Sequence, residues 1–434
     1  MTKKNVLLIN PWIYDFAAYD LWMKPWGLLK ISSILKNDGH KVFLLDAMDR
    51  HHPLLDMPAS DHEDGTGKFI SVEVEKPIQL SRIPRKYKRY GLPVGIFIKA
   101  LPDADIDIVL VSSVMTYWYP GVAEAIKIAR EKYKNAMIVL GGVYATLCEK
   151  HAIEHSGADL VIGNSSLDRL SSLLGQRGAF GYGSILAEKI DYGLYEGTAY
   201  GVLRLSLGCP YDCGYCAQRS LGPGFMVKDM DKALIEIKYL YASGKKIFAF
   251  YDDALLFDTV YFKEYFRRIA DEGIIARFYT PNGLHARYIA PDVADDLKRA
   301  GFADPIISLE TIKDNALWHE KVTRSEFIKA VENLRKAGYA QGEYSAYLLL
   351  GVPGGSLSDV REAVEFVHSL GARISLSEYS PLPGTALGKA VDPKIISEPL
   401  LHNNSVFPTF DMSDWDKVNE LKSLARSLNS SLKK

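Results

Sequence analysis

Short apolar runs at Val6–Asn10, Val42–Asp46, Ile108–Val114, Met137–Leu140 and Leu160–Ile162 punctuate the first part of the chain. They are apolar at successive positions, so both faces of each extended strand need cover, as in a parallel sheet sandwiched by helices. Between them, Pro25–Lys36, Tyr119–Lys132 and Ala145–His155 repeat apolar residues at helical spacing. The alternation predicts an α/β domain over residues 1–170, with a flavodoxin/Rossmann-like doubly wound parallel sheet. No GxGxxG follows the first strand, so an ordinary dinucleotide site is not expected. Residues 47–104 break the rhythm, and an insertion of that size is usually functional or flexible.

A connection over residues 171–200 leads to a second series. Strands are predicted at Val202–Leu207, Ile247–Tyr251, Arg277–Thr280, Pro305–Leu309, Tyr344–Leu350 and Arg373–Glu378. Helices fall between them at Lys232–Ala242, Val260–Glu272, Pro291–Ala300, Glu326–Ala337 and Leu357–Leu370. Six βα units over residues 201–385 predict a partial (β/α)6 TIM-like barrel, with its chemistry at the C-terminal strand ends. Residues 386–434 are a short helical C-terminal tail, in which Asp414–Ser430 reads as one helix capping the barrel.

Composition narrows the class. The chain has 434 residues, 47% hydrophobic and 24% charged, enough for large cores. Lys+Arg 52 against Asp+Glu 53 gives a formal charge of -1, which supplies no general attraction to nucleic acid or anionic membrane. The apolar run at the N-terminus is too short for a signal-peptide core, and no run reaches membrane-spanning length. A cytoplasmic protein without a membrane anchor is expected. The basic run RIPRKYKRYG, with Arg82, Arg85, Lys86, Lys88 and Arg89, is either a solvated face or a phosphate or carboxylate contact.

Three of the four cysteines, Cys209, Cys213 and Cys216, fall in the stretch LGCPYDCGYCA directly after the first strand of the second series. A C-x3-C-x2-C loop can wrap three thiolates around an iron–sulfur cube and leave one iron open to a small molecule. Structural zinc closes four positions, and the next histidine in sequence is His285. The fourth cysteine, Cys148, shares a helix face with His151 and His155, a stripe that is more often a packed helix side than a metal site.

CPYDCGYC, with Tyr215 before the last cysteine, resembles the radical S-adenosylmethionine (SAM) enzymes. DYGLY, FYDDALL, PNGLHARY, ISLET, LLLGVPGG and EYSPLPGT carry the likeness through most of Asp191–Thr385. The resemblance implies that the three cysteines hold a [4Fe-4S] cluster whose open iron chelates SAM. It further implies that electron transfer cleaves SAM to a 5′-deoxyadenosyl radical, which abstracts hydrogen from substrate. By the same resemblance Tyr215 packs on adenine, and Asp252 or Asp253 meets the SAM amino group. Ser308 and Glu310 fall at the ribose-contacting position, and Asn282 meets the carboxylate or sugar. The usual GGE triplet is absent. An electron donor such as flavodoxin or ferredoxin is implied as partner; the substrate and the catalytic residues acting on it are not readable.

The N-terminal segments VLLINP, PWGLLKISSILKNDGHKVFLLD, IVLVSSV, VLGGVYAT and ADLVIGN resemble cobalamin-binding domains attached to such enzymes. This makes Ser113, Gly141, Gly142 and Gly163, at the strand ends, the candidates for holding a corrin. A tight turn is the other reading of Gly141-Gly142. There is no Asp-x-His-x-x-Gly pattern, and Gly163-Asn164-Ser165-Ser166 stands where many relatives have GEGE. The implied activity is a cobalamin-dependent C-methyltransferase, with cobalamin-independent radical rearrangement, cyclisation or carbon–carbon bonding as the alternative.

Overall fold

The structure is a computed structural model that describes residues 3–56, 60–175, 180–195, 197–313, 322–406, 409 and 414–432. It divides into two compact units: Met1–Tyr200 with Ser220–Pro223 and Lys394–Val406, and Gly201–Arg219 with Gly224–Pro393 and Phe407–Lys434.

The first unit is built on a parallel sheet of β1 (Asn5–Asn10), β2 (Lys41–Asp46), β3 (Ile108–Val111), β4 (Met137–Leu140) and β5 (Leu160–Val161), in the order β2-β1-β3-β4-β5. Strand alternation divides its core. Leu7 and Ile9 pack with Val122, Ala125 and Ile126 of helix Tyr119–Lys132. Val6 and Leu8 face Leu28 and Leu35 of helix Trp26–Asn37. That is the doubly wound arrangement, and its strand order reverses between β1 and β3, where such sheets open a crevice.

Two expected elements are shorter than the pattern suggested. β3 stops at Val111 rather than Val114, because Ser113 turns away to donate from Oγ to the Gly141 carbonyl (2.7 Å). The single helix expected at Ala145–His155 is two, Val143–Leu147 and Glu149–His155, broken where Cys148 leaves helical geometry at φ -129 and ψ 43.

The insertion contributes Ser71–Glu73 and Lys88–Tyr90 to a small antiparallel sheet with Ile13–Asp15. Its buried clasp is Arg50, which reaches Asp20 (2.8 Å), Asp61 (2.6 Å) and the Gly65 carbonyl (3.1 Å). A Cβ on Gly67 would lie 2.3 Å from that guanidinium. The basic run is paired within this unit: Lys86 with Glu73, Arg89 with Glu124, and Arg85 with the Ser405 carbonyl.

In the second unit β6 (Gly201–Leu203), β7 (Ile247–Phe250) and β8 (Arg277–Tyr279) pair in the order β8-β7-β6. The short strand Leu284–His285 pairs with β9 (Ile306–Glu310), followed by β10 (Ser345–Leu350) and β11 (Arg373–Glu378). All these pairings are parallel and fall in two sheets, of three and four strands, and a helix precedes each of β7, β8, β9, β10 and β11, in keeping with the expected series of βα units. The open edge of β11 is closed by helix Trp415–Ser431: Asn429 accepts from the Ile374 N–H (2.7 Å) and donates to the Ile374 carbonyl (2.8 Å). One side-chain amide thus replaces a neighbouring strand's hydrogen bonds.

Candidate active site

The cysteine loop begins where a strand is bent. The pattern predicts one strand over Val202–Leu207, but β6 ends at Leu203, and Ser206–Leu207 instead pairs antiparallel with Met226–Val227. Asp252, at the end of β7, explains the change. Its buried carboxylate accepts from the N–H of Leu205 (3.0 and 3.1 Å), from Ser206 N–H (2.6 Å) and from Ser206 Oγ (2.6 Å). Burial raises its pKa from 3.8 to about 6 despite those donors.

Asp253, the next residue, lines a cavity of about 270 Å³ shared with Cys209, Cys213 and Cys216. Its Oδ2 accepts from Gly208 N–H (3.2 Å) and Gln218 Nε2 (2.9 Å), and Arg204 lies 3.5 Å away. Burial also raises this carboxyl above the ordinary aspartate range, with Arg204 opposing the shift. The loop is pinned from beyond by the Gly214 carbonyl, which accepts from Leu387 N–H (2.8 Å), and is turned by Cys216 N–H to the Cys213 carbonyl (2.9 Å). Adjacent aspartates thus do different work: Asp252 shapes the approach to the loop, and Asp253 faces the cavity.

Tyr215, Asn282, Ser308 and Glu310 line the same cavity. Asn282 is aimed by its amide, which donates to the carbonyls of Tyr251 (3.0 Å) and Asp252 (3.3 Å). Gly283, at φ +83, lets the chain pass Ser308; a Cβ there would lie 2.9 Å from Ser308 Oγ. Glu310 follows a register shift in β9 and holds φ +62, a left-handed conformation costing a non-glycine residue roughly 1–2 kcal/mol. Burial and the nearby Glu310 push the Tyr215 hydroxyl well above its ordinary range, so it stays protonated.

Three thiol side chains of one loop on one cavity wall are the donor set a cluster takes. None of the four cysteines is in a disulfide. Among the described residues no three His, Cys, Asp or Glu side chains converge as around a single ion. The two cavity carboxylates favour a cationic ligand beside them.

Cys148, His151 and His155 form no such group. Cys148 packs against the first unit's core and burial pushes its thiol up to about 12. His151 Nδ1 is bonded to the Tyr144 hydroxyl (2.6 Å), and burial lowers its pKa to about 4.

The residues expected to meet a corrin lie at the carboxyl ends of β3, β4 and β5. Two have internal tasks: Ser113 Oγ also accepts from Tyr144 N–H (3.0 Å), and Gly142, at φ +92, passes so close that a Cβ would be 2.3 Å from the Ser113 carbonyl. The other two are open. A Cβ on Gly141 would meet only the Ile162 carbonyl at 3.7 Å, and one on Gly163 nothing nearer than 3.5 Å. Val114 and Met115, 42% and 39% exposed, follow Ser113 and add apolar surface of the kind the expected corrin needs. Asn164, in the departed GEGE position, donates from Nδ2 to the Leu221 carbonyl (2.7 Å).

Sequence reasoning did not single out Tyr211, Phe257, His285, Tyr288 and Tyr347, which also line the cavity. His285 and Tyr288 stand inside PNGLHARY, and Tyr211 lies between two cysteines; strand-end position was the available signal.

Two segments of the chain match known protein families. Residues 203–367 match the radical SAM superfamily, and residues 95–167 match the B12 binding domain. A ribosomal protein uS12 methylthiotransferase from Bacteroides thetaiotaomicron is 27% identical over 213 residues, 46% of this chain and 48% of that protein. An uncharacterized methyltransferase from Pyrococcus horikoshii is 24% identical over 200 residues, 44% of this chain and 42% of that protein. The chain thus spans only about half the length of these curated relatives. Among solved structures, the radical S-adenosylmethionine methyltransferase TsrM from Kitasatospora setae, with cobalamin and a [4Fe-4S] cluster bound, has a TM-score of 0.65 at 16% identity. That alignment covers 91% of this chain and 78% of TsrM, and it is a likeness of fold. No helix among the described residues is long and apolar enough to cross a membrane.

Proposed function

Because this chain carries a radical SAM domain behind a B12-binding domain, we propose that this radical SAM enzyme is a cobalamin-dependent methyltransferase acting on an unactivated carbon. The observation that carries the reading is the single cavity lined by Cys209, Cys213, Cys216 and two carboxylates. Similarity to the Pyrococcus and Kitasatospora proteins, both described as methyltransferases, supports it further.

In this reading Cys209, Cys213 and Cys216 hold the cluster, which when bound supplies the electron that splits a carbon–sulfur bond of SAM. Asp253 and Glu310 offset the positive charge of the sulfonium and ammonium groups. Tyr215 gives the adenine a flat neutral neighbour, while Asn282 and Ser308 offer hydrogen-bond partners to the sugar or carboxylate. Leu256, Leu348 and Leu349 keep water from the reacting atoms. Gly141 and Gly163, with Val114 and Met115, would carry the corrin, whose bound form supplies the methyl group. Protein reconstituted anaerobically with iron and sulfide, then given SAM and a strong reductant, should release 5′-deoxyadenosine. If it does not, the enzyme reading fails. Expression with cobalamin supplied should yield corrin absorbance; iron–sulfur colour alone, with SAM cleavage retained, selects a cobalamin-independent radical reaction instead.

A further inference from the structure

One wall of the cavity is unused by the residues directed at SAM. Tyr211, Phe257, His285 and Tyr288 line it. Tyr211 stacks on His285 (centroids 4.9 Å, 26° between planes), and Phe257 meets Tyr288 edge to face (5.9 Å, 87°). Phe225 backs Phe257 at 4.7 Å. The Tyr211 and Tyr288 hydroxyls bond to each other, so the wall turns ring surface rather than charge toward the cavity.

Two features separate it from core packing. Phe257 is 39% exposed, whereas Phe248, Phe250 and Phe278 of β7 and β8 are at most 1% exposed. A large aromatic left open inside a concavity is ordinarily covered by something. Charge is also one-sided: Asp253 and Glu310 line the cavity, and no Lys or Arg does among the described residues. The nearby Arg287 is held by Glu326 at 2.8 Å and also reaches the Tyr211 hydroxyl from outside the cavity lining. Asp253 is itself faced by Arg204 at 3.5 Å, so the lining keeps little net charge: the aromatic wall offers an anionic group no cationic partner of its own, while a cationic cosubstrate is already matched by the carboxylates. A neutral π system gains from offset-stacked and edge-to-face contacts that an aliphatic group of equal area lacks.

We infer that the Tyr211–Phe257–His285–Tyr288 wall receives a neutral planar aromatic ring of the substrate. The inference rests on the radical SAM reading for the meaning of "substrate", but the binding event does not depend on turnover. The probe is indole, with cyclohexanol as its non-aromatic control, measured by anaerobic equilibrium dialysis against the reconstituted holoenzyme. Indole should bind saturably and cyclohexanol should not. Phe257→Leu, which keeps apolar bulk, and Tyr288→Leu should each weaken indole binding by roughly tenfold. Iron content and the KM for SAM in 5′-deoxyadenosine release should change less than about twofold. Equal retention of indole and cyclohexanol would overturn the inference. So would a roughly tenfold rise in the KM for SAM in these variants together with displacement of indole by SAM, which would assign the wall to adenine. Absence of 5′-deoxyadenosine from the wild type would remove the enzyme reading, while the dialysis would still decide whether the wall takes an aromatic ring.

Discussion

Asp252→Asn tests the division of labour between the adjacent aspartates. In the folded protein the Asp252 carboxyl titrates at about 6 instead of 3.8, because burial disfavours its charged form. A shift of about 2 units corresponds to roughly 3 kcal/mol of lost stability once the group is ionised in both states. The sign follows from proton counts. With the folded pKa raised, the folded state binds more protons between the two values, so this contribution favours folding at low pH and is lost as pH rises through 6. Of the total, about 1.4 kcal/mol falls between pH 5 and pH 7.5. Asn cannot ionise, yet its Oδ1 can still accept from the Leu205 and Ser206 amides. The melting temperature of Asp252→Asn relative to wild type should therefore rise by about 3–6 °C between pH 5 and pH 7.5, using the slope for domains of roughly 150–250 residues. The assay is scanning calorimetry of iron-free protein at both pH values. A gap that stays flat or narrows would refute the argument, since it would mean that the carboxylate is not a desolvated charge. Asp252→Ala, which strands two backbone donors at roughly 1–3 kcal/mol each, should melt lower than Asp252→Asn at both pH values and incorporate less iron.

Two further expectations follow from the same geometry. Gly142→Ala places a Cβ 2.3 Å from the Ser113 carbonyl at φ +92 and should cost more than about 2 kcal/mol by thermal melting, whereas Gly141→Ala should stay within about 0.5 kcal/mol and lower only cobalamin retention. Asp253→Asn should weaken SAM binding by about 10–100-fold in equilibrium dialysis, the worth of one charge-assisted hydrogen bond; unchanged affinity would move the ammonium contact elsewhere.

The fold was legible where the signal is local. Uninterrupted apolar runs required helices on both faces, and the two series of βα units appear where that pattern put them. The cysteine loop was equally plain, since its spacing confines three thiols to one turn of chain. The pattern failed where a side chain from another strand redirects the backbone. Nothing in Val202–Leu207 announces that it must bend after Leu203; the acceptor that bends it is Asp252, far along the chain. For the same reason Asp252 and Asp253 could not be ranked: which neighbour faces a cavity depends on strand twist and on the donors already in reach. Ser113 was picked for its strand-end position, yet its hydroxyl is bonded inside the β4 turn.

The sequence by itself determined the repeating βα architecture and the donor atoms available for a cluster, because periodicity and covalent spacing act over a few residues. Only the tertiary structure decided that Asp253 rather than Asp252 faces the cavity, and that Tyr211, Phe257, His285 and Tyr288 form one aromatic surface. Those four come from three strand-end loops, and it is the parallel sheet that brings successive C-terminal strand ends to one side, where residues distant in the chain become neighbours.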